Sequence, residues 1–273
     1  MWRFALKACG RWALALLGAL LIAVGVSALA SAKGGYGAAL IHTLVSFARL
    51  DFGTSALSGQ SAAQELAAHL PVTAHLMLFG ALVALILGVP LGLVFGSSTI
   101  RRVAAPLIQI VSAAPVFCAG LGLAYAARRL GFEENPSLLD GLLLPSVAVG
   151  LAGTAAVQMV LRRAASQAQD GPFRIGLRRL GLSAMEIESV YVAPQVFAGL
   201  LDALGEVMLA LLSAAVVAEW VFKSPGIADL FVKSIALHDW NMAALILFVF
   251  AGLTATADFI GRIGARFLVR AAS

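Results

Sequence analysis

Six long apolar stretches constrain the fold of this chain more than any other feature of its sequence. The hydrocarbon core of a bilayer is about 30 Å thick, so a helix needs about 20 apolar residues to cross it. Stretches of this length occupy residues 12–32, 72–97, 103–127, 141–161, 194–222 and 242–262. We therefore expect an all-α fold, a polytopic transmembrane helical bundle with six spans.

The composition agrees with a membrane protein. Of the 273 residues, 61% are hydrophobic and 12% are charged, and the mean hydropathy is +0.95. Soluble domains are about half apolar and about a quarter charged. The pI of 9.7 and the net charge of +5 would also suit a nucleic-acid-binding protein. However, the basic residues flank the apolar spans and form no patch interleaved with aromatic residues, so we expect no nucleic-acid partner.

The two cysteines carry no expected chemistry. Cys9 and Cys118 lack the spacing of metal ligands and need not pair. We interpret both as small buried hydrophobic residues.

The placement of lysine and arginine predicts the orientation, because cytoplasmic segments of membrane proteins are enriched in positive charge. If the N-terminus is cytoplasmic, thirteen basic residues lie inside: Arg3, Lys7, Arg11, Arg101, Arg102, Arg162, Arg163, Arg174, Arg178, Arg179, Arg262, Arg266 and Arg270. Six lie outside: Lys33, Arg49, Arg128, Arg129, Lys223 and Lys233. We therefore expect both termini to be cytoplasmic.

The first span has an alternative interpretation. Arg3, Lys7 and Arg11, followed by an apolar run and small residues at 30–32, resemble a secretory signal peptide. Its apolar run is longer than a typical signal core and five more spans follow, which favours an uncleaved first helix.

Two short helices are expected between the first and second spans. Four residues share one face of a helix lying on the membrane surface: Leu40, Leu44, Phe47 and Ala48. Residues 64–70 form a second candidate, which we expect to end at Pro71.

Glycines recur every four residues in the second span, at Gly88, Gly92 and Gly96. The smooth face they create allows close approach of another helix, either within the subunit or across a subunit interface. Pro90 in the same stretch is expected to kink the helix.

The largest expected cytoplasmic surface is the polar, basic loop of residues 162–193. Its pattern predicts a helix, a turn at Gly181 and a second helix. Ser183 and Glu186 have the spacing of a capping box at the start of that second helix. Pro194 is expected to open the fifth span, where a missing N–H costs little. The loop is thus either a stiff hairpin able to transmit a push or a solvated connector.

No sequence motif for catalysis or nucleotide binding is present. Four scattered histidines, His42, His69, His75 and His238, are more consistent with solvated or interfacial positions than with ligands. We therefore expect that the chain is not an enzyme and binds no cofactor itself. Its energy comes from a partner, or it moves its substrate passively or by ion coupling.

Two acidic residues lie within the fifth span. Asp202 and Glu206 are one turn apart on one helical face, roughly 12 and 18 Å from Pro194 at about 1.5 Å per residue. A charge facing lipid costs about 2.5–3.5 kcal/mol, so both should face water or a partner. They either line a translocation path that favours positively charged cargo, or they are paired with a basic side chain or protonated.

The loop resembles a known motif. The thirteen-residue spacing from Gly181 to Pro194 is similar to the cytoplasmic EAA loop of binding-protein-dependent ABC importer permeases. Residues 219–239 resemble the stretch after the fifth helix of the oligopeptide/dipeptide/nickel-type members, and residues 51–55 and 70–73 resemble their lead-in to the second helix. The resemblance covers most of residues 51–268 and implies a type I importer permease (MetI-like) fold.

The resemblance assigns roles to particular residues. The ATPase-coupling loop would include Arg178, Arg179, Gly181, Leu182, Ser183, Ala184, Met185 and Pro194. An outer gate, or the side facing a binding protein, would include Glu219, Phe222, Pro225, Gly226 and Asp239. Glu219 would alternatively hold the adjacent turn in place, and the sequence favours that structural role.

Two departures from the family pattern stand out. Ile175, Gly176 and Leu177 occupy the positions expected to read Glu-Ala-Ala. The outer segment after the first span is shorter than in the family and lacks its usual Gly-Asp-Pro.

The resemblance also implies partners. These are a second homologous permease, two ATPase subunits that carry ATP and Mg, and a periplasmic or lipid-anchored solute-binding protein, all at a bacterial inner membrane. Peptides are the default cargo, with nickel, metal chelates and opine or sugar conjugates also in range. The chain divides into residues 1–50, the first helix with a short outer segment, and 51–273, a five-helix core. An ion-coupled secondary transporter or channel subunit is the alternative function.

Overall fold

A computed structural model describes residues 2–31, 36–49, 51–93, 116–130, 142–169, 172–183 and 186–271. Within these ranges the chain is almost entirely helical, and its only β-type pairing is an isolated bridge between Thr54 and Ser61. The expected all-α class is therefore confirmed.

The helices follow one another along the chain with short connections. They are α1 (Trp2–Ser31), α2 (Tyr36–Ala48), α3 (Ala62–Leu93), α4 (Val116–Arg129), α5 (Leu143–Gln169), α6 (Pro172–Arg179), a π-helix (Ile187–Val192), α7 (Ala193–Asp202), α8 (Leu204–Phe222), α9 (Ile227–Ala236) and α10 (Trp240–Ala271).

Five helices in the described ranges are long and apolar enough to cross a membrane. These segments are Leu6–Ala28, Ala62–Gly92, Leu143–Gln167, Leu204–Phe222 and Trp240–Arg270. The remaining expected span, 103–127, lies partly outside the described residues, and only its second half is seen, as α4. Six spans therefore stay a prediction.

The second span begins earlier than predicted. The helix α2 forms as expected, but the candidate at 64–70 does not end at Pro71, because α3 continues through Pro71 and Pro90. A proline in a helix removes one backbone hydrogen bond and crowds the preceding turn. Here Thr73, two residues after Pro71, is buried and hydrogen-bonded to residues of α8 and α9, so tertiary contacts hold this turn in the helix.

The glycine face of α3 packs against α5 within the same chain. A Cβ added at Gly80, Gly88 or Gly92 would lie 2.7, 2.9 and 2.8 Å from side-chain atoms of α5. Two glycines of α5, Gly150 and Gly153, are equally close to α3 side chains, at 2.5 and 2.8 Å. The small residues of both helices therefore allow their backbones to approach closely. Gly96 lies outside the described residues.

The main core lies where α3, α5, α7 and α8 meet. It is built from buried aliphatic residues such as Val157, Leu161, Val196 and Leu211, and Leu177 and Ile187 extend it toward the hairpin side. Helix α1 packs mainly on α10 and α2 and exposes most of its apolar residues.

The two cysteines are not buried as predicted. Cys9 and Cys118 are both free and exposed in this chain. Each lies on the outer face of a membrane helix, where lipid accepts apolar side chains that a soluble protein would bury.

Candidate functional site: a capped hairpin, a broken helix and an outer clamp

The loop between α5 and α7 folds as a compact hairpin, which we define as residues 172–192. Gly181 adopts the left-handed conformation, with φ +86°, that favours glycine. The N–H of Gly181 donates to the carbonyl of Arg178 at 3.1 Å, and the N–H of Leu182 donates to that of Leu177 at 3.3 Å. The turn predicted at Gly181 is therefore present, and it closes the C-terminus of α6.

A capping box begins the second half of the hairpin, as predicted. The hydroxyl and the N–H of Ser183 donate to Oε2 of Glu186 at 2.7 and 2.8 Å. The N–H of Glu186 lies 3.2 Å from Oγ of Ser183. These reciprocal bonds satisfy donors that a helix start leaves unpaired. The Ser183 side chain and then its N–H, which both donate to the carboxylate, lower the pKa of Glu186 below its ordinary value of 4.5.

The hairpin presents a basic and apolar tip. Arg178, Arg179 and Leu180 are exposed, and Leu180 has a relative exposure of 79%. Leu177 points the other way and is buried in the main core. The leucine found where the family has alanine therefore ties α6 to the core. Leu182 is half-buried against the same core.

Some predicted residues of the loop fall outside the description. Ala184 and Met185 lie outside the described residues, as does the side chain of Ile175. Gly176 is exposed.

The hairpin continues into the membrane without interruption. The π-helix runs directly into α7, and Val192 between them has helical φ and ψ of −85° and −48°. Pro194 is therefore the second residue of α7 and does not open the helical segment, contrary to the prediction. A proline ring crowds the carbonyl four residues earlier, here that of Val190. The wider π turn gives this carbonyl room.

The fifth span is broken, although the sequence predicts one continuous helix. Helix α7 ends at Asp202 and α8 begins at Leu204, with Ala203 at φ −99° and ψ 13° between them. We call residues 202–204 the knee. Asp202 and Glu206 therefore lie on two helices, one on each side of the knee, and not on one face of a single helix.

Both acidic residues near the knee have basic neighbours. Oε2 of Glu206 lies 3.4 Å from Nη1 of Arg163 on α5, with exposed side-chain fractions of 61% and 55%. Asp202 is close enough to Arg262 on α10 to interact with it electrostatically. Arg262 also pairs with Asp258, one turn earlier, at 2.7 Å, as the sequence predicts. Exposed pairs of this kind contribute about 0–1 kcal/mol, so neither acid is held rigidly in its pair.

On the opposite side of the bundle, Glu219 forms a buried clamp. Its side chain has no exposed surface, its Oε1 accepts from the hydroxyl of Thr73 at 2.6 Å, and its Oε2 accepts from the N–H of Asp229 at 2.9 Å. The hydroxyl oxygen of Thr73 accepts from the N–H of Ile227 at 2.8 Å. Together they satisfy two free donors at the start of α9, whose own N-cap residue, Gly226, has no side chain.

The other residues assigned to the outer side have distinct positions. Phe222 is half-buried against the main core, and Pro225 is exposed. Asp239 begins α10, because its Oδ1 accepts from the N–H of Met242 at 3.1 Å. Its Oδ2 accepts from the N–H of Ala56 at 2.7 Å, which fastens the lead-in loop to α10. These contacts have the geometry of structural support, and a role at a gate stays a prediction.

Sequence reasoning assigned no role to Thr73 or Arg163. Thr73 is an isolated hydroxyl residue at the start of an apolar run, and Arg163 is one of several basic residues after the fourth span. Only the partner on a distant helix distinguishes either residue. Among the described residues, no group of three or more His, Cys, Asp and Glu side chains is placed to hold a metal ion.

Taken together, a polytopic helical bundle with a capped hairpin joined to a broken membrane helix defines a transport-type membrane subunit. Residues 84–273 match a family model described as "Binding-protein-dependent transport system inner membrane component". The dipeptide transport system permease protein DppB of Lactococcus lactis is 28% identical over 216 residues, which cover 74% of this chain and 69% of that protein. The oligopeptide transport system permease protein AmiC of Streptococcus pneumoniae is 24% identical over 198 residues, which cover 68% of this chain and 39% of that protein.

The fold agrees with a solved structure, titled "Crystal structure of an amino acid ABC transporter with histidines". It superposes with a TM-score of 0.61 at 20% identity, over 75% of this chain and 94% of that chain. The importer-permease fold implied by the sequence is therefore confirmed. Because the family model covers more than half of the chain, this protein belongs to the family of binding-protein-dependent transport system inner membrane components. It is a permease subunit of an ABC importer, and the ion-coupled alternative is not favoured.

Proposed function

We propose that this permease carries peptides, or a related small solute with a positively charged group, into the cytoplasm. The observation that supports it most strongly is the hairpin, whose exposed tip is continuous with a membrane helix that ends at two acidic residues. Peptides are the cargo named for the relatives DppB and AmiC. The chain itself hydrolyses nothing in this proposal, and ATP and Mg are bound by separate ATPase subunits.

The tip of the hairpin is the proposed contact with an ATPase subunit. Arg178 and Arg179 project from the last turn of α6, beside the exposed Leu180. Two positive charges around an apolar side chain suit a cleft with an acidic rim. Replacing both arginines with glutamate is expected to abolish cargo-stimulated ATP hydrolysis in the reconstituted complex, because like charges then meet at the contact. Lys223→Glu, at an exposed site at the other end of the bundle, is the matched control and should leave hydrolysis unchanged.

The proposed orientation places the hairpin and both termini in the cytoplasm. A membrane-impermeant maleimide should label Lys223→Cys in intact spheroplasts. It should label Arg179→Cys only after permeabilisation, in a chain from which Cys9 and Cys118 have been removed. Labelling of Arg179→Cys in sealed spheroplasts would reverse the orientation.

Asp202 and Glu206 are the proposed determinants of cargo charge. The pair between Glu206 and Arg163 makes a sharp test possible. If Glu206 acts on cargo, Glu206→Gln should lower uptake of cationic peptides relative to neutral ones, and Arg163→Gln should raise it by releasing the carboxylate. If the two residues only support each other, both substitutions should reduce uptake alike for every cargo charge.

The complete transporter is proposed to contain a second homologous permease, two ATPase subunits and a solute-binding protein on the outer side. Proteoliposomes that hold the complex should accumulate peptide when ATP is supplied on the hairpin side together with the binding protein. Uptake that ignores ATP and follows a proton or sodium gradient would contradict the proposal.

A further inference from the structure

Gly261 of α10 lies directly against the knee in the fifth span. A Cβ added at Gly261 would overlap the carbonyl oxygen of Leu201 and would lie 3.0 Å from Cβ of Leu204. The obstacle is backbone, which cannot rotate away as the end of a flexible side chain can. No residue with a side chain therefore fits at Gly261 while the knee keeps this position.

A second close contact grips the other side of the knee. A Cβ added at Gly205, the second residue of α8, would lie 2.8 Å from Cβ of Asp258. Asp258 and Gly261 are less than one turn apart on α10. The backbone on both sides of the knee therefore rests on one short stretch of this helix.

The knee also separates the two halves of the fifth span mechanically. Helix α7 packs along α10 and α5, whereas it contacts α8 only near the break. The N–H of Ala203 donates to the carbonyl of Gly199 at 3.2 Å, and regular helical backbone resumes only at Leu204. A displacement of α7 is therefore transmitted to the helix on which it packs more directly than to α8.

We propose that Gly261 is a positioning residue for transport: it seats the knee on α10, so that α7 and α10 move as one unit when the hairpin moves. Bending then takes place at Ala203, between α7 and α8. This inference rests on the proposed function, because it needs the hairpin to be moved by an ATPase subunit. It differs from the expectation that the whole fifth span follows the hairpin as one rigid helix.

The first test is Gly261→Ala in the complete reconstituted transporter. We expect hydrolysis to continue while the amount of cargo moved per ATP falls about tenfold, because the added methyl group displaces the knee. Gly264→Ala is the matched control on the same helix. Its Cβ would lie 3.5 Å from Cδ1 of Leu201, an ordinary contact, so its cargo-to-ATP ratio should stay near that of the unaltered protein. An unchanged ratio in Gly261→Ala, or an equal fall in both variants, would overturn the proposal.

The second test needs no substitution at Gly261 and decides the question if Gly261→Ala fails to assemble. Spin labels are placed at three exposed positions, Phe197 in α7, Leu209 in α8 and Ile260 in α10, in pairs and without the native cysteines. Trapping the complex with ATP and vanadate should change the 197–209 distance and leave the 197–260 distance constant. A change in the 197–260 distance, or a constant 197–209 distance, would refute the rigid unit.

The two tests separate this inference from the proposed function. A wild-type complex whose import does not depend on ATP would remove the proposed function and the inference together. ATP-driven import with a variable 197–260 distance would remove the inference alone.

Discussion

Thr73 and Glu219, which are 146 residues apart in the sequence, share a buried hydrogen bond of 2.6 Å that joins α3 to α8. Each also accepts a backbone N–H from the first turn of α9, from Ile227 and Asp229. Two membrane helices therefore supply the cap of a third, shorter helix. Because that helix starts at a glycine, its first donors depend on these distant side chains.

Thr73→Val is expected to destabilise the protein by about 1–3 kcal/mol, because valine keeps the shape but leaves the Ile227 N–H and a carboxylate oxygen of Glu219 without their partner. The measurement is the free energy of unfolding by SDS titration in mixed micelles. Thr154→Val is the control: it is equally buried, but its hydroxyl bonds only to the Gly150 carbonyl of its own helix. Equal losses in the two variants would contradict a special role for the Thr73 bond.

Gly226→Ala should destabilise the outer clamp by about 1–3 kcal/mol through overpacking. An added Cβ would overlap the carboxylate of Glu219, while the φ of −98° would not itself strain an alanine. Gly252→Ala provides the comparison, since its Cβ would meet only Leu16, at 3.7 Å. The thermal unfolding midpoint of the purified protein should fall for Gly226→Ala alone, and a fall of the same size in Gly252→Ala would argue against the steric explanation.

Gly88→Ala tests the packing of α3 on α5. Its Cβ would come within 2.9 Å of Val157, so we expect a loss of about 1–3 kcal/mol. This loss opposes the gain of about 1 kcal/mol that alanine brings to a helix. Gly122→Ala in α4, where a Cβ meets nothing within 4 Å, should show only the gain. Unfolding free energies measured side by side decide it, and a stabilised Gly88→Ala would disprove the close contact.

The capping box makes the hairpin sensitive to acid. Because hydrogen bonds from Ser183 lower the pKa of Glu186 in the folded protein, their stabilisation is fully present above the ordinary value of 4.5. It is lost as the pH falls through the lowered pKa. Amide exchange of the π-helix, corrected for intrinsic rates, should therefore be constant from pH 7 to the ordinary pKa and rise below it.

Two variants separate the charge from the hydrogen bonds of this box. Glu186→Gln keeps a cap but cannot titrate, so the pH dependence should disappear. Ser183→Ala should raise exchange at every pH. A pH profile that is the same in Glu186→Gln and in the unaltered protein would show that another group titrates.

Features that depend on residues within one helical turn were predictable from the sequence. The Ser183–Glu186 cap, the left-handed turn at Gly181 and the pair between Asp258 and Arg262 each involve residues at most four positions apart. The length of the apolar runs likewise indicated membrane helices wherever the structure describes them. Local geometry alone determines these features, because a helix brings such residues together whatever surrounds it.

Only the tertiary structure decided that the helix continues through Pro71, that it breaks at Ala203 and that Thr73 meets Glu219. It also decided that the glycines of α3 face α5 within the same chain. In lipid an apolar side chain is nearly as stable facing a hydrocarbon tail as facing another helix, so apolar periodicity does not say which helices are neighbours. The sequence by itself therefore determined the membrane class and the local caps and turns. Contacts between distant helices, made by single hydroxyl, carboxylate and glycine positions, determined where those helices bend and on what they rest.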